Sequence, residues 1–215
     1  MIRRVAGFTL IELMVGMVVG LIVVMTMLSL YKTASKSTAE AGYGAIMDGQ
    51  IAGGIIMADR LLQSAGYGYA SGSNAYGSTL QVYLASSTVS TGTAGNALVW
   101  KSGATTCQAL VANGNNLIFY GPASSGYTCS SGLALPASSN ASQGIITSVP
   151  VTLPNAPAAG SATIVISNAI CTPFGTGTAV SSAVIASGGY VATLTIQGYA
   201  ASASIQNQTC LTNFH

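Results

Sequence analysis

Glu12 is the only ionisable side chain in an apolar run that extends from Phe8 to Leu30. A carboxylate in hydrocarbon costs roughly 2.5–3.5 kcal/mol at a helix centre and less near an end. A cost of that size points to a use for the group. The other residues with chemical potential are four cysteines, Cys107, Cys129, Cys171 and Cys210. They contain no C-x-x-C pair, and the sole histidine is His215, so the spacing of a zinc site is absent. An even number of cysteines beyond an apolar segment favours two disulfides. Three pairings are open, of which the nearest-neighbour one is Cys107–Cys129 with Cys171–Cys210. On the chain-entropy view, closing a loop of ~20–40 residues stabilises by roughly 3–4 kcal/mol.

Catalytic chemistry has few players. From Leu61 to His215 the only formally charged side chain is Lys101, and there is no Asp or Glu. General acid–base catalysis or a Ser-His-Asp arrangement needs such groups, so the reading is non-enzymatic, with no cofactor and no metal. Nucleic acid is also disfavoured as a partner, because phosphate binding needs several cations on one surface. Charged residues make up 5% of the chain against about 25% in an average soluble domain. Exposed Tyr67, Tyr69, Tyr76 and Trp100 could stack on sugars; packing in a small β core is the stronger expectation for them. Asn140-Ala-Ser142 and Asn207-Gln-Thr209 match the glycosylation acceptor pattern, at a frequency chance explains in so Asn- and Ser-rich a chain.

The element that must position Glu12 is a helix. Phe8 to Leu30 spans about 34 Å at 1.5 Å per residue, enough to cross the hydrocarbon core. Arg3 and Arg4 precede it, which places the N-terminus on the cytoplasmic side. A cleaved secretory signal fits poorly: the run is longer than its 7–15-residue apolar core, and the small-residue junction Ala6-Gly7 comes before it. Helical spacing continues to Ser64. Met47, Ile51, Ile55, Ala58 and Leu62 form one apolar stripe, expected to pack on the following domain. Ser37, Ala41, Ala45, Gly49 and Gly53 form a second stripe of small residues that would admit another helix. Gly42, Gly44, Gly49, Gly53 and Gly54 together cost about 4–5 kcal/mol of helix propensity relative to alanine. The expectation is therefore a helix held by neighbouring chains or broken between Gly42 and Gly54, and capped at its end by Gly66.

Beyond that point short β-branched and aromatic runs alternate with turn clusters. They predict strands at Leu80–Ala85, Ala97–Lys101, Gln108–Ala112, Asn116–Tyr120, Ile145–Leu153, Ala162–Ser167 and Tyr190–Gln197. Pro150 makes the fifth an edge strand or splits it. Asn113-Gly114-Asn115 predicts a hairpin turn, and Ser71 to Ser78, Ala123 to Ser142 and Pro154 to Gly160 read as loops.

The order of these features carries a resemblance. Gly7-Phe8-Thr9-Leu10-Ile11-Glu12, after a short basic leader and before an apolar helix, resembles the class III signal of type IV pilins and the pseudopilins of type II secretion. The resemblance implies cleavage between Gly7 and Phe8 by a prepilin peptidase, N-methylation of the Phe8 amine, and pairing of Glu12 with the cationic N-terminus of an adjacent subunit. An unpaired buried charge would penalise every other docking. Removal of the leader takes Arg3 and Arg4 with it and leaves four cations against four anions. Asp59-Arg60-Leu61-Leu62-Gln63-Ser64-Ala65-Gly66-Tyr67-Gly68-Tyr69 is similar to the helix end of PilW-type minor pilins, which implies an initiation role at or near a filament tip. Cys171 and Cys210 could close a C-terminal loop like the disulfide-bounded region of many pilins.

The expected fold is α+β: a long N-terminal transmembrane and filament-core α-helix followed by an antiparallel β-sheet domain. Its parts are a leader at 1–7, a membrane helix at 8–30, an amphipathic periplasmic continuation at 31–66 and a Ser/Thr/Gly-rich β domain at 67–215. The expected partners are other pilin subunits, a prepilin peptidase, an inner-membrane assembly platform and the membrane itself. The expected location is the bacterial inner membrane before assembly and an extracellular pilus afterwards. A type II secretion pseudopilin, a major subunit or an adhesive filament subunit would share the N-terminal features.

Overall fold

The computed structural model describes residues 9–67, 75–114, 116–121, 127–130, 132–147, 162–169, 189–198 and 204–214. The described residues form one helix, α1 (Leu10–Ser64), and nine strands, in an α+β arrangement with antiparallel sheets. It divides into two compact units, Met1–Ala45 and Ile46–His215.

In the first unit the described residues are Thr9 and the α1 residues that follow it. The large apolar side chains from Leu10 to Tyr31 are all exposed, from 45% at Val23 to 77% at Leu10. Thr26, Thr33 and Thr38 turn their hydroxyls back to donate to the carbonyls of Val23, Ser29 and Ala34. For Thr26 that choice silences a polar group inside the apolar run. Lys36 and Glu40 form an exposed i,i+4 ion pair with 3.7 Å between nitrogen and oxygen.

In the second unit, α1 buries Ile51, Gly54, Ile55, Ala58 and Leu62. Four of these, with half-buried Met47, are the apolar stripe expected from the sequence. The helix is continuous through Gly42–Gly54, so the break, one of the two expected alternatives, does not occur. Tertiary packing overrides propensity here: a Cβ on Gly54 would lie 2.1 Å from Ile146 Cγ1, so glycine is what lets the sheet approach the helix. The helix ends at Ser64, and Gly66 follows at φ +76° as the left-handed cap.

Six strands form one sheet in the order β2 (Ser87–Val89), β1 (Leu80–Leu84), β3 (Ala97–Lys101), β4 (Cys107–Asn113), β5 (Asn116–Tyr120) and β6 (Ser142–Ile146). Gly114 occupies the β4–β5 turn at φ +59°. Three strands form the other sheet in the order β7 (Thr163–Asn168), β8 (Tyr190–Gln197) and β9 (Ser204–Leu211). Gly95 joins the two: its N–H donates to Ile164 O and its carbonyl accepts from Ile164 N, both at 2.9 Å. A side chain there would strike the Tyr83 carbonyl at 2.4 Å.

The main core lies among the α1 stripe, one face of the large sheet (Leu80, Val82, Leu98, Trp100, Leu110, Leu117, Phe119) and one face of the small sheet (Ile164, Ile166, Leu194, Ile196). The opposite face of the large sheet is also covered. Tyr83, Ala97, Val99, Cys107 and Ala109 pack there against Tyr127 and Cys129, with Leu133 and Leu135 alongside. Burial on both faces explains why Leu98-Val99-Trp100 is an uninterrupted apolar run rather than an alternating one.

Two strands differ from expectation and one is displaced. β2 has only three residues and β9 is mostly polar, so neither gives a hydropathy signal. β6 begins at Ser142, within a stretch read as loop, and ends at Ile146. The rest of the expected strand at Ile145–Leu153 reaches beyond the described residues.

Candidate functional site

The start of α1 is a closed capping arrangement. Leu13 N donates to Thr9 O, the first helical bond, which makes Thr9 the N-cap and Glu12 the third helical residue. Glu12 N donates to Thr9 Oγ1 at 3.4 Å, and Thr9 N donates to Glu12 Oε2 at 3.2 Å. Thr9 Oγ1 in turn donates to the same Oε2 at 3.1 Å. This reciprocal pair is a capping box: it satisfies orphan backbone donors at a helix start and sets a negative charge against the positive end of the helix dipole. Thr-Leu-Ile-Glu before an apolar run has the S/T-x-x-E signature, so the sequence carries a signal for this cap beyond the carboxylate itself. Arg3, Arg4, Gly7 and Phe8 lie outside the described residues.

A second polar cluster locks α1 to β9. Asp59 Oδ1 accepts from Asn207 Nδ2 at 3.1 Å and from Thr209 Oγ1 at 2.5 Å, while Oδ2 accepts from Gln63 Nε2 at 2.7 Å. Asn207 and Thr209 stand opposite Leu194 and Ala192 and so share the core-facing side of β9. Asp59 thus serves the β domain, whereas Arg60 beside it is exposed. These two β9 residues also belong to a glycosylation pattern; the structure gives them a packing role, with Thr209 fully buried. Farther along, Asn213 Nδ2 donates to Ala65 O at 2.8 Å, and buried Phe214 lies where a Cβ on Gly66 would come within 2.9 Å of its ring.

Cys107 and Cys129 form a disulfide, with Cα atoms 5.8 Å apart. It ties the start of β4 to the segment that covers the outer face of the large sheet. Tyr83 Oη donates to Leu133 O at 2.8 Å, and Tyr127 Oη donates to Ala134 O. Burial pushes the Tyr127 phenol well above its ordinary pKa, and Tyr83 close by adds to the shift. Cys210 is also disulfide-bonded; Cys171 lies outside the described residues.

The aromatic residues considered for ligand stacking separate. Trp100 is fully buried, donates from Nε1 to Gln108 Oε1 at 3.0 Å and stacks on Phe119, so it is a core residue. Tyr76 is half-buried against Tyr190. Tyr67 is 81% exposed, and Tyr69 lies outside the described residues. The small-residue positions Ser37, Ala41, Ala45, Gly49 and Gly53 are all exposed, and a Cβ on Gly49 or Gly53 would meet nothing.

An exposed apolar helix with one capped carboxylate near its start, followed by antiparallel sheets, defines an N-terminally anchored α+β subunit. Residues 2–28 match the family model of the prokaryotic N-terminal methylation motif. The chain therefore carries the signal of a type IV pilin- or pseudopilin-like prepilin. No curated protein and no solved structure matches it. The motif implies processing by a prepilin peptidase and assembly with other pilins, and α1 is long and apolar enough to cross a membrane.

Proposed function

We propose that this chain is a minor pilin of a type IV pilus, a structural subunit and not an enzyme. It is cleaved between Gly7 and Phe8, methylated on the Phe8 amine and held in the bacterial inner membrane by the start of α1. An assembly platform then moves it into an extracellular filament, where the Glu12 carboxylate pairs with the Phe8 amine of a neighbour. The observation that carries this reading is the methylation-motif match at residues 2–28 on a helix whose apolar side chains are all exposed. The minor assignment rests on the likeness of Asp59–Tyr69 to PilW-type subunits. We assign Cys171 as the partner of Cys210, which closes a C-terminal loop.

Mass spectrometry of the mature chain tests the processing step. The expected product begins at Phe8 with one added methyl group, and Gly7→Val leaves the leader attached and the chain absent from sheared filaments. Immunogold labelling tests the place in the fibre. Label at tips or sparse points supports a minor pilin, continuous label indicates a major subunit, and filaments formed only by a secretion system indicate a pseudopilin.

A further inference from the structure

Two of the three capping bonds at the start of α1 end on the Glu12 carboxylate, and both use the same oxygen. Thr9 N and Thr9 Oγ1 both donate to Oε2, and among the described residues no hydrogen bond reaches Oε1. We infer that Thr9 is the positioning residue for assembly: it holds Glu12 through Oε2 in the unassembled subunit and leaves Oε1 to accept a neighbour's amine without opening the cap. The inference rests on the proposed pairing of Glu12 with a Phe8 amine and adds the means by which the carboxylate is aimed.

The physical case has three parts. The cap gives the charged group two donors inside its own chain, which lowers the cost of carrying it in an apolar segment before a partner arrives. It also selects one side-chain conformation. A free glutamate samples several, each placing the charge at a different depth, and ordering it in advance reduces what docking must supply. Finally, the donors bind one oxygen, so a cation can approach the other while the first helical turn keeps its bonds. Helix start and docking group become the same object, and a subunit with a frayed first turn presents no fixed charge.

Full-length processed subunits with the unaltered sequence, Thr9→Val, Thr9→Ser and Glu12→Gln test this. Amide hydrogen exchange in detergent micelles reads the cap at the Glu12 N–H. Immunoblots of sheared filaments against the membrane pool read assembly. Thr9→Val is expected to speed exchange at Glu12 by roughly fivefold, the equivalent of a cap of about 1 kcal/mol, and to lower the filament fraction several-fold. Thr9→Ser restores both. Glu12→Gln keeps an oxygen that closes the box, so exchange stays slow while filaments are lost with the charge. The inference is overturned if Thr9→Val leaves either the exchange rate or the filament fraction unchanged while Glu12→Gln is defective. Normal assembly of Glu12→Gln would instead remove the pairing reading, and the inference with it, even with exchange reporting an intact cap.

Discussion

Residues 10–31 and residues 46–64 belong to one helix and live under different rules. In the first stretch every large apolar side chain is exposed, and the Thr26 hydroxyl bonds back to its own helix. In the second, one stripe is buried against two sheets and a carboxylate reaches across to β9. The second stretch is specified by partners within the chain. The first presents an exposed apolar surface and carries a capping box at its start.

The sharpest way to break this contrast is to delete equal volume from both stretches. Leu62→Ala is expected to destabilise the β domain by about 2–5 kcal/mol, because Leu62 is 1% exposed and leaves a cavity. Leu28→Ala, at a position 62% exposed, should leave that stability unchanged. Trp100, the single tryptophan and fully buried, reports both by fluorescence during thermal unfolding in micelles.

Next in size is the covering segment on the outer sheet face. Replacing Cys107 and Cys129 by alanine should cost about 3 kcal/mol, with a lower unfolding midpoint read the same way. The Tyr127 phenol gives that segment an alkaline limit. Its folded pKa lies above the ordinary 10.0, so folding favours the neutral form; the contribution is complete below pH 10.0 and is lost as pH rises from there toward the folded value. Unfolding midpoints should therefore fall above pH 10, and Tyr127→Phe should flatten that fall at the expense of its bond to Ala134.

The smallest effects come from two adjacent glycines. Gly54→Ala drives a methyl into Ile146 and should destabilise by about 1–3 kcal/mol. Gly53→Ala faces open space and should stabilise the free subunit by about 0.5–1 kcal/mol. Opposite signs in thermal unfolding would confirm that the glycine-rich stretch is helical because the sheet holds it there. Equal signs would sink that account.

Periodicity made the buried stripe of α1 legible because apolar spacing is a direct consequence of helical pitch. Composition likewise exposed β1, β3, β5 and β8, whose β-branched and aromatic residues face a core. It failed at β9, where the core-facing Asn207 and Thr209 are polar and are satisfied by Asp59, a partner about 150 positions away. Hydropathy carries no information about such a bond. The break in the helix, one of two expected alternatives, does not occur for a related reason: propensity counts the cost of Gly54 but not the proximity to Ile146 that only glycine permits. At the helix start the pattern Thr9-x-x-Glu12 is a capping-box signature, and local spacing alone makes it legible.

The bonds from Asp59 to Asn207 and Thr209, and from Asn213 to the helix end, also set how tension passes through the second unit. A pull on α1 relative to β9 loads all three bonds together with the buried Leu62 and Phe214 contacts, so no single bond bears the force alone. Rupture then requires simultaneous shear of a polar clamp and an apolar plug. The join between helix and sheet is thereby suited to carrying a pulling load.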